Sequence, residues 1–198
     1  PRLCSSAASD VYKRQLIIGL EHLKPETDDL KALCAAFGTT SGAPMLHISG
    51  HTPEAHLPPT STAKSYFVDR DTLKQAWEAL NKGEKLIDLV AIGSPHASFD
   101  EVKKIEGYFL NRKCHPKTTM IITVGRQTLW RLKQEGIYQR ILEFNAQIIP
   151  DICWCSITEP VFPPHTRNII TNSGKYAHYA YGLSGRHARL SSLQDCVE

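Results

Sequence analysis

The stretch N-I-I-T-N-S-G-K-Y-A-H-Y at residues 168–179 joins an apolar pair to a polar turn, and the turn to residues with helical spacing. Thr171, Asn172 and Ser173 are each able to cap a helix. The N–H groups of a first helical turn, with Lys175 beside them, attract an anion. The stretch therefore predicts a strand-to-helix junction, which is either an anion site or an ordinary capped junction with a surface lysine.

Strand and helix patterns alternate along most of the chain that precedes this junction. Short apolar runs predict strands at 45–49, 87–93, 120–123, 146–149 and 169–170. Helical spacing with capping and stop signals predicts helices at 28–37, 69–82, 98–109, 127–134 and 137–144. This alternation predicts an α/β fold of three layers, in which a mainly parallel sheet carries helices on both faces.

Polar segments follow five of the predicted strands: G-H-T-P-E-A, G-S-P-H-A-S, T-V-G-R, D-I-C-W-C and T-N-S-G-K. The carboxyl ends of parallel strands lie along one edge of a sheet, so we expect these segments to meet in one crevice. His51 and Thr52 are candidates to line it. Ordinary polar turns explain the same residues equally well. In that interpretation the His96 side chain is hydrogen-bonded to the backbone, and Arg126 is exposed at the start of a helix.

Composition excludes several classes of protein. The chain has 198 residues, of which 41% are hydrophobic and 22% charged, with a formal net charge of +3. This balance is typical of a globular domain. It lacks the dense Lys/Arg run expected of a nucleic-acid-binding protein, and no apolar stretch approaches the length of a membrane span. We therefore expect neither nucleic acid nor membrane as partner.

The six cysteines are too sparse for a disulfide scaffold, which predicts a reducing, cytoplasmic location.

Residues 1–15 lack a start methionine and a clear periodicity. We interpret them as a non-native scar, which leaves Cys4 out of any site and makes residues 16–198 the native part. Cys34 shares the apolar face of the first predicted helix, so we expect it to be buried.

Cys153 and Cys155 form a C-x-C pair after a predicted strand. A structural zinc site lacks a second pair of ligands, so this interpretation has little support. A catalytic thiol beside His96 or His178 is a second possibility. An iron–sulfur site that takes thiolates from Cys153 and the distant Cys196 is a third, and unligated buried cysteines are a fourth.

The ordered series G-H-T-P-E-A, D-L-V-A-I-G-S-P-H-A-S, D-I-C-W-C, T-N-S-G-K-Y-A-H-Y and S-L-Q-D-C-V resembles the catalytic domain of the aconitase X family. The resemblance covers residues 20–198, about the C-terminal half of that family's large subunit. It implies an aconitase-like but incomplete fold. It also implies an iron-dependent dehydratase acting on cis-3-hydroxy-L-proline, as in bacterial members, or on phosphomevalonate, as in archaeal ones. The D-I-C-W-C-x-I-T-E-P stretch is more similar to the bacterial members.

The resemblance assigns roles only where a motif matches. Cys153 and Cys196 fall on two cysteines that hold the family's iron–sulfur cluster, and Cys155 falls on none. The third cysteine ligand is expected in an N-terminal half outside this chain. The family has D-T-C at 151–153 and a P-G-L motif at 181–183, so this chain departs mildly from the pattern at both places.

The same resemblance implies how a small hydroxylated carboxylate is held and dehydrated. Ser94 and His96 are the predicted catalytic residues, which orient the hydroxyl or ring nitrogen and relay a proton. The predicted substrate-binding residues are Thr171, Asn172, Ser173, Lys175, His51 and Thr52. A small swivelling domain or subunit of the aconitase X type is the expected partner. The alternative is a non-catalytic α/β module that binds an anion or a partner subunit.

Overall fold

Two β-sheets organise the chain, one in each of the units 1–77 and 78–198. The computed structural model describes residues 2–5, 14–41, 45–109 and 111–198, with the first four in backbone only. Most of the segment predicted to be a non-native scar lies outside the described residues, as does the side chain of Cys4. That interpretation of residues 1–15 stays a prediction.

The first unit contains a four-stranded sheet with the order β3-β2-β1-β4. Strand β1 is antiparallel to both its neighbours, whereas β2 and β3 are parallel. A 3₁₀ helix, Pro53–His56, follows β3, and α2 continues across the junction of the units. The elements are β1 (Arg2–Ser5), β2 (Arg14–Ile18), α1 (Thr27–Thr40), β3 (Met45–Ile48), β4 (Lys64–Phe67) and α2 (Arg70–Ala79).

Two expectations for this unit are wrong. The strand at Met45–Ile48 does not join the parallel sheet of the later strands, because it pairs with β2 in a separate sheet. Cys34 is exposed rather than buried, and α1 contains no buried residue. Apolar spacing predicted the helix correctly, but it does not reveal whether another element covers the apolar face.

The second unit has five parallel strands in the order β7-β6-β5-β8-β9. A 3₁₀ helix, Trp154–Ser156, follows β7. The elements are β5 (Leu89–Ala97), α3 (Phe99–Gly107), β6 (Thr119–Val124), α4 (Arg126–Gln134), α5 (Ile137–Glu143), β7 (Ala146–Pro150), β8 (Ile169–Thr171), α6 (Gly174–Ser184) and β9 (Ala188–Leu190).

Alternate residues of the central strand β5 face two separate cores. Val90 and Ile92 belong to one core, and Leu89 and Ala91 belong to the other. Helical residues of the first core are Val102, Ile105, Leu132, Ile137 and Ile141. The second core includes Trp154, Phe162, Tyr176 and Ala180. The predicted α/β fold, with a parallel sheet between helices, is thus confirmed for this unit.

Close packing within the sheet requires glycine at position 93. Gly93 has a φ of +103°, and a Cβ there would collide with the backbone carbonyl of Thr123. The Thr123 hydroxyl donates to the Gly93 carbonyl over 2.7 Å. This contact ties the middle of β5 to β6 immediately before Ser94, so the neighbouring strand fixes the backbone that presents Ser94 and His96.

Helix α3 in the second unit begins with two reciprocal hydrogen bonds between Ser98 and Glu101. Ser98 accepts from the Glu101 N–H over 3.0 Å, and Glu101 accepts from the Ser98 N–H over 2.9 Å. These two bonds form the capping box of α3, at the start of the helix predicted over 98–109.

None of the helices in the described part of the chain is long and apolar enough to cross a bilayer.

Candidate functional site

The order of the second sheet defines one crevice at its carboxyl edge. Strands β6 and β7 follow β5 in sequence and lie on one side of it. Strand β8 comes next in sequence and pairs with the other side of β5. The point where the strand order reverses is where open α/β sheets bind their ligands. The carboxyl-terminal part of β5 and the segment that follows β8 therefore frame the candidate site.

Two serines join these segments. The Ser173 hydroxyl donates to the Ser94 carbonyl and accepts from the Tyr176 N–H, the latter over 3.0 Å. Ser94 is 4% exposed, and among the described residues its own hydroxyl finds no hydrogen-bond partner. A buried hydroxyl without a partner is destabilising, so its persistence at this edge is consistent with a hydroxyl kept for a ligand.

Helix α6 begins at the same place, with Ser173 as its N-cap. The half-buried Lys175 lies in its first turn, so the ammonium adds to the positive end of the helix dipole. Thr171 is fully buried, and its hydroxyl accepts from the Ser173 N–H over 3.2 Å. Asn172 is half-buried. Thr171 thus shapes the turn, while Lys175 and Asn172 retain access to solvent.

His96 is held by the segment that follows β7. Its Nε2 lies 3.0 Å from the carbonyl oxygen of Ile152. A carbonyl can only accept, so this bond places a hydrogen on Nε2 and makes Nδ1 the nitrogen that takes up or releases a proton. The backbone-satisfied histidine foreseen from the sequence is therefore present.

Asp151 closes the crevice on the β7 side. Its carboxylate accepts from the Arg126 backbone N–H over 2.9 Å and from the Arg126 Nε over 2.5 Å. These bonds, the backbone one foremost, lower the pKa of Asp151 below its ordinary value, and the nearby His96 lowers it further. Arg126 is therefore paired with a carboxylate, and its side chain is exposed at the start of α4, as the polar-turn interpretation expected.

His51 and Thr52 follow β3 in the first unit, on the other sheet. The His51 Nε2 lies 2.9 Å from the Leu20 carbonyl, and the Thr52 hydroxyl accepts from the Ile48 N–H over 2.9 Å. Both side chains thus make local contacts that fix the turn after β3. Their role in substrate binding stays a prediction.

The two predicted cluster ligands lie in different surroundings. Cys153 follows β7 at the carboxyl edge and is partly buried. Cys196 is 5% exposed within the first apolar core and lines a cavity of about 630 Å³ near the starts of β5 and β6. Burial raises the pKa of the Cys196 thiol to about 12.

The chemistry of the described residues decides whether they fit an iron–sulfur cluster or another metal. Over residues 14–41, 45–109 and 111–198, no group of three or more His, Cys, Asp or Glu side chains is placed to hold a metal ion. An apolar setting that keeps a thiol protonated does not suit a thiolate ligand. These residues alone therefore do not fit a cluster.

Trp154 is an important residue of this edge that the sequence did not single out. Its indole N–H donates to the Ile92 carbonyl over 2.8 Å, and its ring centroid lies 5.1 Å from that of Tyr176. A large aromatic residue within a polar strand end was the available signal. Tyr176 is fully buried, and burial raises its pKa.

Comparison with known proteins places this geometry in a family. A family model described as "Aconitase X third domain" matches residues 87–198, and one described as "Aconitase X second domain" matches residues 11–78. The crystal structure of Thermococcus kodakaraensis aconitase X in its holo-form superposes with a TM-score of 0.76 at 32% identity. That match covers 89% of this chain and 45% of the other.

Several relatives are named as dehydratases. Proteins named "Cis-3-hydroxy-L-proline dehydratase" from Pseudomonas aeruginosa and Hypocrea jecorina are 41% and 38% identical, each over 92% of this chain. The "Phosphomevalonate dehydratase large subunit" of Thermococcus kodakarensis is 36% identical over 90% of this chain and 45% of its own length. The chain spans only 32% of the length of the first two. Because the third-domain model alone matches more than half of the sequence, the chain belongs to the aconitase X family.

Proposed function

We propose that this chain forms part of a hydro-lyase that removes water from a small hydroxylated carboxylate, cis-3-hydroxy-L-proline. The observation that carries the proposal is the meeting of Ser94, Ser173 and the start of α6 at the point where the sheet order reverses. The relatives named for this substrate support the choice over phosphomevalonate, since they have the higher identities.

Carboxylate binding is assigned to the start of α6. The N–H groups of its first turn and the ammonium of Lys175 supply positive charge at one point. Hydrogen bonds between charged groups are stronger than neutral ones, so this pair of features can orient the substrate by its carboxylate. Asn172 stands beside them, and Ser173 fixes the turn.

The substrate hydroxyl is assigned to the β5 side of the crevice. Ser94 offers the buried hydroxyl that lacks a partner among the described residues. His96 is held through Nε2, and a proton carried on its Nδ1 can pass to the departing hydroxyl. A general base takes up the proton beside the carboxylate, the electron pair of that C–H bond forms the double bond, and the carbon–oxygen bond breaks as the protonated hydroxyl leaves as water.

Three wider features are proposals for the longer protein. Iron–sulfur chemistry follows from the family resemblance, although the described residues do not hold a cluster by themselves. A small swivelling aconitase X domain would complete the site. A cytoplasmic location is consistent with free thiols at every cysteine whose side chain the structure describes.

The proposal is tested on the full-length protein with cis-3-hydroxy-L-proline and with phosphomevalonate. Lys175→Met should raise KM for hydroxyproline about tenfold or more, because a charged hydrogen bond contributes about 1.5–3 kcal/mol. Lys103→Met, at an exposed position on α3, is the matched control and should leave KM unchanged. Both variants should keep the melting temperature of the parent protein.

The outcomes of this assay distinguish the proposed substrate and the proposed role of α6 from their alternatives. Turnover of phosphomevalonate alone would replace the proposed substrate. Turnover of neither compound, by a protein that remains folded, would favour the non-catalytic anion-binding module. An unchanged KM in Lys175→Met would remove the carboxylate role from the start of α6.

A further inference from the structure

Trp154 contacts both parts of the candidate site without belonging to either. Its indole N–H donates to the Ile92 carbonyl over 2.8 Å, in β5 and two residues before Ser94. Its aromatic ring lies with its centroid 5.1 Å from that of Tyr176, which follows Lys175 in the first turn of α6. One side chain thus contacts the strand assigned to the substrate hydroxyl and the helix assigned to the substrate carboxylate.

These two contacts complete a closed set that begins and ends on β5. The Tyr176 N–H donates to the Ser173 hydroxyl over 3.0 Å, and that hydroxyl donates to the Ser94 carbonyl. Ser94 follows Ile92 by two residues, so the set closes through Trp154. All five residues are buried, with none more than 6% exposed. Packing and hydrogen bonds of this kind are what hold functional groups in a defined geometry.

The backbone of the sheet does not hold these parts together by itself. Among the described residues, β5 pairs with β8 at Leu89 and Val90 and at no later position. The part of β5 that carries Ser94 is therefore joined to the start of α6 through side chains. The bond from Trp154 to Ile92 is well suited to this, because a buried N–H or carbonyl that loses its partner is destabilising.

We propose that Trp154 is a positioning residue, which sets the distance between Ser94 and the start of α6. This role rests on the proposed dehydratase function. Trp154 is 2% exposed, so it acts through its neighbours rather than on the reacting atoms. Its two contacts have separate effects: the indole N–H holds the part of β5 that orients the substrate hydroxyl, and the aromatic ring supports the turn of α6 that binds the carboxylate.

Two variants of the full-length protein separate these effects, with cis-3-hydroxy-L-proline as substrate. Trp154→Phe keeps an aromatic ring but lacks the N–H, so kcat should fall about tenfold or more while KM stays near that of the parent. Trp154→Leu lacks both contacts and should also raise KM about threefold or more. Trp130→Phe, at a tryptophan of α4 that is 65% exposed, is the control and should change neither parameter. An unchanged kcat in Trp154→Phe, or an equal rise in KM in both Trp154 variants, would overturn the proposal.

Amide hydrogen exchange, followed by mass spectrometry on the same full-length proteins, tests the positioning without turnover. Trp154→Phe should speed exchange about fivefold or more in peptides covering 91–97, and Trp154→Leu should do so in 91–97 and 173–177. Peptides from α4 should exchange as in the parent, because α4 packs in the first core and Trp154 in the second.

The two measurements fail in different ways. A parent protein that turns over neither hydroxyproline nor phosphomevalonate would contradict the proposed function, while the exchange data would still decide the role of Trp154. Unchanged exchange in both variants, or an equal rise throughout residues 78–198, would contradict that role and leave Trp154 as an ordinary core residue.

Discussion

The two units differ in burial far more than in secondary structure. Both combine helices with a sheet, yet nearly all buried apolar side chains belong to the second unit. Within the described residues of the first unit, Ile48 is the single buried apolar side chain, while Tyr66, Phe67 and Leu73 are exposed. The second sheet is thus stabilised by its own helices, whereas the first sheet has the hydrogen bonds of a sheet without a comparable core.

Helices in the first unit rely on local interactions, whereas those in the second unit are also stabilised by tertiary packing. Helix α1 has helical spacing, but none of its residues is buried, whereas α3 buries Phe99, Val102 and Ile105. Most helical stability in proteins comes from packing an apolar face. Changes in the second unit should therefore cost much more than matched changes in the first.

The largest expected contrast is between two leucines in helices. Leu132 in α4 is 0% exposed and Leu73 in α2 is 56% exposed. Leu132→Ala should lower the free energy of unfolding by about 2–5 kcal/mol, since it leaves a cavity in a packed core. Leu73→Ala should change it by about 0.5 kcal/mol or less. Urea unfolding followed by circular dichroism measures both, and equal losses would contradict the contrast.

The same contrast explains how well the sequence predicted the fold. In the second unit, strands β5 to β8 and helices α3 to α6 lie within a few residues of their predicted positions, because buried faces impose a clear periodicity on the sequence. In the first unit, β1, β2 and β4 were not predicted. The residues of β4 are all exposed, so no alternation marked it.

The candidate site was predictable only in part. The order of strands and helices brought Ser94, His96 and Ser173 to one edge, because topology determines where strand ends lie. It gave no access to the bond between the Trp154 indole and the Ile92 carbonyl, or to the burial of Cys196. Those depend on side-chain packing across separate segments, which local patterns do not encode.

A smaller contrast concerns helix starts. Ser98 caps α3, whose buried residues lie directly behind it, whereas Glu26 begins α1, which buries none. Ser98→Ala should lower the free energy of unfolding by about 1 kcal/mol. Glu26→Ala should cost only a few tenths, within the range of about 0.5 kcal/mol usual for surface changes. Thermal melts of the two variants beside the parent chain give the comparison, which fails if Glu26→Ala costs as much.

The smallest contrast is in sensitivity to acid. Hydrogen bonds from Arg126, 25 residues away, lower the pKa of Asp151, and those from Thr72, three residues away, lower that of Asp69. A carboxyl with a lowered folded-state pKa stabilises the fold above its ordinary value of 3.8, and this is lost as pH falls through the folded-state value.

Local bonds such as those of Asp69 can persist in an unfolded chain, but the long-range bonds of Asp151 cannot. Asp151→Asn should therefore flatten the loss of stability between about pH 5 and about pH 2 more than Asp69→Asn does. Urea midpoints across this range measure the slopes. Equal slopes in the two variants would mean that Asp151 and Arg126 contribute no more to the second unit than a local turn contributes to the first.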